Sequence, residues 1–336
     1  MPSLPPWHPE SLAARLPFLR RRARLVAATR AFFVARGYME VETPYAVPAP
    51  GEEVHLSAFR TERIGVDGAG CPLFLHTSPE FAMKRLLVGG AGPIFQLARV
   101  WRNGEGSGRH AAEFTMLEWY RPGASMADLM AEVADFLRAV LPPVVVSQGI
   151  ATDLGEMEHL TLAEAFHRHL GADLLGTAGD AAALAASAGV RLREGEDWED
   201  LFFRLLLGAV EPHLGQRCPT FLTHWPAAQA ALARRDPADP RVAERFELFV
   251  CGMELANAFV ELTDAAEQRA RFVEDRARRR ALYGDEGWPL DEDFLSALEH
   301  GMPPAAGIAL GFDRLAMIAS GADRIGQVQW LPEGEG

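Results

Sequence analysis

The chain has 336 residues, 49% of them hydrophobic, and a formal net charge of −13, enough apolar material for a full core without disulfide or metal staples. The negative balance argues against a protein whose main business is coating nucleic acid, since phosphate-backbone binding needs clustered Lys and Arg, while leaving room for a local basic patch. Cys71, Cys218 and Cys251 are odd in number and in no metal-ligand pattern, the start MPSLPPWHPE lacks an apolar signal-peptide core, and no apolar run approaches the ~20 residues of a membrane span, which together point to the cytoplasm.

Residues 11–36 predict a helix, because Leu12, Leu16, Leu19, Leu25, Phe32 and Phe33 recur near helical spacing under an arginine-rich outer face. Gly37 ends it, and Pro17 is expected to break its first turn. Residues 38–44 alternate and stop at Pro44, which predicts a short strand, and residues 54–59 and 73–76 read as two more. Thr77-Ser78-Pro79-Glu80 then starts a helix over 81–88: a Ser or Thr cap, proline in the first turn, and a carboxylate at the positive end of the dipole. Lys84 in this helix is the only lysine of the chain, a bias read as compositional rather than functional.

Residues 98–121, ARVWRNGEGSGRHAAEFTMLEWYR, predict a long hairpin, alternating at both ends with a glycine-rich turn from Asn103 to Gly108. Arg102, Glu105, Arg109, His110, Glu113 and Glu118 lie on it. That is the layout of a grip for a polyanion, or of an exposed hairpin with ordinary surface charge. An amphipathic helix over 125–141 stops at Pro142-Pro143, and the alanine-rich residues 161–214 read as a helical insert or lid without a chemical motif. Residues 219–228 return to strand, and 236–240 form a turn-rich loop.

A second hairpin is predicted over 245–255, turning at Cys251-Gly252. In that register Phe249 faces Glu254, and Glu247 becomes its diagonal neighbour on one face. Carboxylates that close repel unless a cation lies between or beside them, for which oxygen ligands suit Mg²⁺; the other reading is two rim carboxylates on an exposed face. Asn257, Phe259 and Glu261 share a face by period two, and for Glu254 to join them the chain must kink near residues 256–258. A charged helix over 262–280 follows. Residues 306–318 then read as an apolar, glycine-bearing strand running into a helix. Arg314 falls in its first turn against the dipole preference, which a fixed anion nearby would explain.

Three of these segments, VETP near the start, VWRNGEGSGRHAAEF in the middle and GIALGFDRLAMI near the end, resemble motifs 1, 2 and 3 of class II aminoacyl-tRNA synthetases. SPEFAMKRLL, EFTMLEWY and ELANAFVELTDAAEQ resemble its lysyl branch, and the set runs from about residue 21 to 320. The resemblance implies an α+β fold with an antiparallel sheet flanked by helices, residues 1–336 forming one catalytic domain with an insert at 161–214, and a homodimer built through motif 1. Because the motif 1 helix begins so early, no anticodon-binding OB domain is expected. This, TMLEWYRP and the alanine in GIALG resemble truncated lysyl-synthetase paralogues that use ATP and Mg²⁺ to activate (R)-β-lysine or lysine. Such paralogues transfer it to a lysine of elongation factor P, with neither tRNA nor membrane involved.

By resemblance, Arg102 holds the α-phosphate and the substrate carboxylate and Arg314 the γ-phosphate side, both as catalytic residues. Asn103, Glu105, His110, Phe114, Glu254, Leu255 and Gly311 complete the ATP set, Phe114 stacking on adenine, and Glu247 and Glu254 hold the metal. Ser78, Glu80, Glu118, Tyr120, Asn257, Glu261 and Ala309 form the amino-acid set, in which the side-chain ammonium meets Glu80, Glu261 and Tyr120. Ala309 stands where lysyl-tRNA synthetases have glycine, in keeping with a changed pocket. The family's Arg-Asn-Glu-Glu is here Arg102-Asn103-Gly104-Glu105, and its His-Asn-Pro-Glu-Phe is His110-Ala111-Ala112-Glu113-Phe114. Glu105 can replace the first loss by a one-residue shift; otherwise weaker nucleotide binding is expected. These departures also favour a second reading, a catalytically silent paralogue acting as a binding or regulatory subunit, which Arg102, Glu247, Glu254 and Arg314 oppose. No residue is identified as a base for the transfer step.

Overall fold

The computed structural model describes residues 4–51, 53–230, 232–285 and 287–332. The first three residues of MPSLPPWHPE and the last four of the expected 1–336 domain lie outside the described residues. By contacts the chain divides into two compact units, Met1–Ser125 with Glu261–Gly336, and Met126–Val260.

The first unit opens with α1 (Pro9–Ala35), β1 (Met39–Glu40), β2 (Ala46–Val47), β3 (Arg60–Ile64), β4 (Gly70–Leu75), α2 (Glu80–Val88), β5 (Ile94–Trp101) and β6 (Glu113–Pro122). The second unit contains α3 (Met126–Val140), β7 (Val144–Ser147), β8 (Ile150–Asp153), β9 (Glu158–Thr161), α4 (Leu162–Leu170), α5 (Ala181–Ser187), α6 (Trp198–Leu205), β10 (Thr220–Pro226), β11 (Val242–Val250) and β12 (Met253–Val260). The chain then returns to the first unit with α7 (Ala265–Tyr283), α8 (Glu292–Gly301), β13 (Ala305–Gly311) and α9 (Phe312–Ser320). Among the described residues no helix is long and apolar enough to cross a membrane.

The architecture is α+β. In the first unit β5 pairs antiparallel with β6 and β6 with β13, while β1 lies parallel to β5. In the second, β12 pairs antiparallel with β11 and β11 with β10, and β9 lies parallel to β10. The antiparallel expectation therefore holds for the central pairings and gives way to parallel ones at β1 and β9. One face of β5 and β6 is closed by α1, whose Phe33 stacks on Phe95 and packs on Trp119 at 4.9 and 5.0 Å between ring centroids. The other face carries Phe114, Met116, Glu118 and Tyr120 by period two, so one strand serves core and site at once. The second unit has its own core, in which Phe166, Trp198 and Phe202 stack beneath Leu222, Trp225 and Phe249.

Several boundaries differ from the sequence reading, each for a local reason. Pro17 does not break α1: Pro17 and Ala13, whose carbonyl loses its amide partner, are both exposed, so solvent can take the place of the missing bond. The strand expected over 38–44 shrinks to Met39–Glu40. Residues 54–59 form no strand, because their carbonyls are taken by other donors: Arg279 Nη1 donates to Val54 O and Leu56 O at 2.9 and 2.6 Å, and Asn103 N to Ser57 O at 2.7 Å. Arg60–Ile64 pairs with β4 in their stead. The charged helix runs three residues later than expected, capped by the Asp264 side chain on Glu267 N and ended by Gly284 in the left-handed region. Helix α8, capped by Asp291, has no counterpart in the sequence reading.

Candidate active site

Within the first unit, α2 and the residues before it, β6, β13 and Glu261, which directly follows β12, bring Ser78, Glu80, Glu118, Tyr120, Glu261 and Ala309 together. Pro79, rather than the expected Ser or Thr, holds the N-cap position of α2; Ser78 just before it accepts from Glu80 N at 3.0 Å through its Oγ, which also donates to Glu118 Oε1 at 2.6 Å. Tyr120 Oη donates to the other oxygen, Glu118 Oε2, at 2.9 Å. Glu118 is fully buried. Burial and the charge of Glu80 push its carboxyl up to about 8, against the pull of those two donors and of Lys84. Opposite it in register stands Ala309, and opposite Tyr120 stands Gly307. A Cβ on Gly307 would lie 2.3 Å from the Tyr120 ring and 2.4 Å from Glu261 Oε1, so this strand position is glycine because ring and carboxylate press against its backbone.

Lys84, unread in the sequence as a site residue, lies at the centre of this cluster. Its fully buried Nζ is 2.5 Å from Glu80 Oε1, one helical turn back, and 2.5 Å from Glu261 Oε2. Burial pulls the ammonium down, but the charges of Glu261 and Glu80 outweigh it and hold the lysine above its ordinary value. Burial pushes Glu261 up to about 8, Lys84 drawing it down and Glu80 pushing it further up. Glu261 Oε2 takes the Lys84 ammonium, while Oε1 receives no hydrogen bond among the described residues. Three carboxylates thus share one resident ammonium, and the least satisfied of them faces the Gly307 backbone.

The motif 2 residues lie at the other end of the same strands. Arg102 is half-buried, with Nη1 3.8 Å from Glu105 Oε1, its guanidinium carbon 5.3 Å from the Phe114 ring centre and its Nε buried without a hydrogen-bond partner. Gly104 has φ +83°, a left-handed conformation in which glutamate would be strained, so the carboxylate beside Arg102 comes from Glu105 instead. Asn103 is anchored through its N–H to Ser57. Phe114 packs with Ala98, Val100, Met116 and Ala309, presenting an apolar wall suited to a flat ring. His110 Nε2 accepts from Arg314 Nη2, joining the motif 2 loop to α9. Gly311 caps α9, and the next turn is tied down by Asp313, which accepts from Arg22 and from Thr115 N while Arg22 also donates to Thr115 Oγ1 at 2.8 Å.

The second unit carries the remaining residues. The Cys251-Gly252 turn has φ +53° and +67°, the two positive values of a tight hairpin. Phe249 pairs with Glu254 as expected, but the register then jumps, Leu248 pairing with Ala256 and Glu247 with Asn257. The anticipated kink is this bulge at Leu255, just before rather than within 256–258, and it turns Glu247, Glu254 and Asn257 to one face. Burial and Glu254 push the Glu247 carboxyl up to about 8, against Arg245. The cation beside the pair is thus partly supplied by the chain: Arg245 Nη2 donates to Glu247 Oε1 at 2.6 Å and its Nε to Asn257 Oδ1 at 3.0 Å, with the guanidinium 4.0 Å from the Trp225 ring centre. Its signal was period two with Glu247. Among the described residues no group of three or more His, Cys, Asp or Glu could hold a metal. Two neighbouring carboxylates that repel one another are oxygen donors of the kind that would suit Mg²⁺.

The family model described as tRNA synthetases class II (D, K and N) matches residues 14–335. The chain is 45% identical to the elongation factor P–(R)-β-lysine ligase of Edwardsiella ictaluri (strain 93-146), over 98% of this chain and 98% of that protein. Proteins of the same name from Klebsiella pneumoniae (strain 342) and Pectobacterium carotovorum subsp. carotovorum (strain PC1) are also 45% identical, each over 96% of both chains.

Proposed function

The chain belongs to the class II tRNA synthetase family of the D, K and N type, and on that premise we propose that it activates (R)-β-lysine, or lysine, with ATP and transfers it to a lysine side chain of elongation factor P. It is a ligase, and the silent-subunit reading is not favoured. The relatives of that name align over almost the whole of both chains. The observation that carries the reading on the structural side is the buried cluster of Glu80, Glu118 and Glu261 with Tyr120: an excess of carboxylate, two of the groups pushed up to about 8, is matched by a ligand that brings ammonium. A neutral analogue would leave those groups unpaired.

In the first step a carboxylate oxygen of the amino acid attacks the α-phosphorus and the bond to the pyrophosphate leaving group breaks. Arg102 aligns the two anions through its forked donors, including the unpartnered Nε, and Arg314 takes the γ-phosphate side. His110 steadies Arg314, Phe114 stacks on adenine, and Asn103, Glu105, Leu255 and Gly311 line the nucleotide. Glu247 and Glu254 would hold Mg²⁺, which supplies charge neutralisation at the phosphates. Ser78, Asn257 and Ala309 complete the amino-acid side. In the second step the acceptor's unprotonated amine attacks the acyl carbon, the bond to AMP breaks, and an amide forms. We place the enzyme in the cytoplasm as a homodimer, with residues 1–336 one catalytic domain.

The test is pyrophosphate exchange with (R)-β-lysine, L-lysine and no amino acid, followed by the mass of elongation factor P. Exchange that depends on a lysine isomer and a gain of one lysyl mass are expected. Absence of exchange with both isomers would sink the activation step, and exchange without a mass gain would sink the acceptor. Arg314→Ala should abolish exchange and leave the protein folded.

A further inference from the structure

One lysine stands among 33 lysine and arginine residues, and it is the fully buried one, set between two carboxylates. Arginine's planar fork, which serves every other cationic position, does not suit that place: a compact ammonium reaches Glu80 Oε1 and Glu261 Oε2 at 2.5 Å each, with the Phe294 ring centre 6.0 Å away. The ammonium takes one oxygen from each carboxylate. It leaves Glu261 Oε1 against the Gly307 backbone, and it leaves Glu118 to the hydroxyl donors of Ser78 and Tyr120.

We infer that Lys84 is a positioning and specificity-determining residue, a resident ammonium that sets the charge count of the amino-acid pocket and fixes Glu80 and Glu261 relative to each other. This rests on the amino-acid pocket proposed above. Three carboxylates less one internal cation leave two negative charges to be matched, and a diamino acid brings two ammonium groups while its own carboxylate goes to Arg102. A monoamino acid leaves one carboxylate without a counter-charge, and without Lys84 the pocket would call for a third cation. Lys84 touches no reacting atom; it acts through the carboxylates it bridges.

Because the chain has a single lysine, uniform ε-¹³C,¹⁵N-lysine labelling gives one side-chain resonance from the unaltered protein, with no variant required to fold. The expected result is a signal that stays in the ammonium form as pH passes the ordinary lysine pKa of about 10.4, and that moves when (R)-β-lysine is added but not when ATP is added alone. A signal that titrates like a free lysine, or that stays still at saturating (R)-β-lysine in a preparation active in lysine-dependent exchange, would overturn the inference while leaving the pocket reading intact. Loss of lysine-dependent exchange in that same wild-type preparation takes down both. A second measurement is kinetic: Lys84→Met, which keeps the length and removes the charge, should raise KM for (R)-β-lysine at least about tenfold with a much smaller change in kcat. It should also displace the rise of affinity with pH to higher pH, a shift that a packing defect alone would not produce. An unchanged KM and pH profile in Lys84→Met would count against the inference.

Discussion

Burial and the charge of Glu80 hold the Glu118 carboxyl up at about 8 although Ser78 and Tyr120 both donate to it, so near neutrality the empty pocket keeps a proton that an incoming ammonium must displace. Glu261 is pushed the same way. Both groups bind protons more tightly folded than unfolded, so their contribution favours the fold at acid pH and is lost as pH rises from the ordinary 4.5 towards about 8. An ammonium ligand reverses that loss. Affinity for (R)-β-lysine should therefore rise with pH up to about 8 and then level off until the ligand's own amine titrates. Calorimetry in two buffers of different ionisation enthalpy should register proton release on binding near pH 7; uptake, or no proton exchange, would contradict the assignment. Gly307 offers a purely steric check. Gly307→Ala drives a methyl into the Tyr120 ring and Glu261 Oε1, and overpacking of this kind costs about 1–3 kcal/mol. The variant should stay folded and lose amino-acid-dependent exchange, while ATP binding measured by fluorescence titration is retained.

The element that holds Arg314 is the first turn of α9, and its tether is the buried Arg22–Asp313 pair that also engages Thr115 on β6. Removing one partner of such a pair costs about 3–5 kcal/mol, whereas replacing both by apolar residues is often neutral. Arg22→Met should thus lower the melting temperature, and Arg22→Met with Asp313→Leu should recover most of it. Pyrophosphate exchange should stay low in the double variant, since the tie from α9 to β6 is gone; full recovery of exchange would show that the tether serves stability alone. Motif 3 was legible in the sequence because a glycine-bearing apolar strand running into a helix has a strong pattern. The hairpins were legible because period two and the Cys251-Gly252 turn set their register. What could not be read is decided by partners distant in sequence. Arg279, more than two hundred residues further along the chain, takes the carbonyls of Val54 and Leu56 out of a ladder. The bulge at Leu255 leaves no mark on the alternation until Glu247 is seen paired with Asn257. Lys84 and Arg245 read as ordinary helix and strand cations until burial shows which carboxylates they serve.

At the scale of the whole molecule, the composition bears on the chemistry proposed. An acyl adenylate reacts with neutral amines, and an enzyme whose acceptor is a lysine side chain is itself a bystander target. Here the single lysine is fully buried, held protonated by Glu261 and Glu80. Every other basic side chain of the Lys and Arg class is a guanidinium, which stays charged and is not acylated under these conditions. Incubation of the chain with ATP, Mg²⁺ and (R)-β-lysine in the absence of acceptor should therefore add no lysyl mass to any internal peptide, an α-amine excepted. The exposed Arg109 lies beside His110 on the motif 2 loop and supplies the control. Arg109→Lys creates a surface amine there, and mass spectrometry of its peptides should find a lysyl adduct confined to that position, increasing with pH as the amine loses its proton. Internal acylation of the wild-type chain would show that Lys84 is less secluded than its ion pairs imply, and an unmodified Arg109→Lys chain under active exchange would place the adenylate away from that loop.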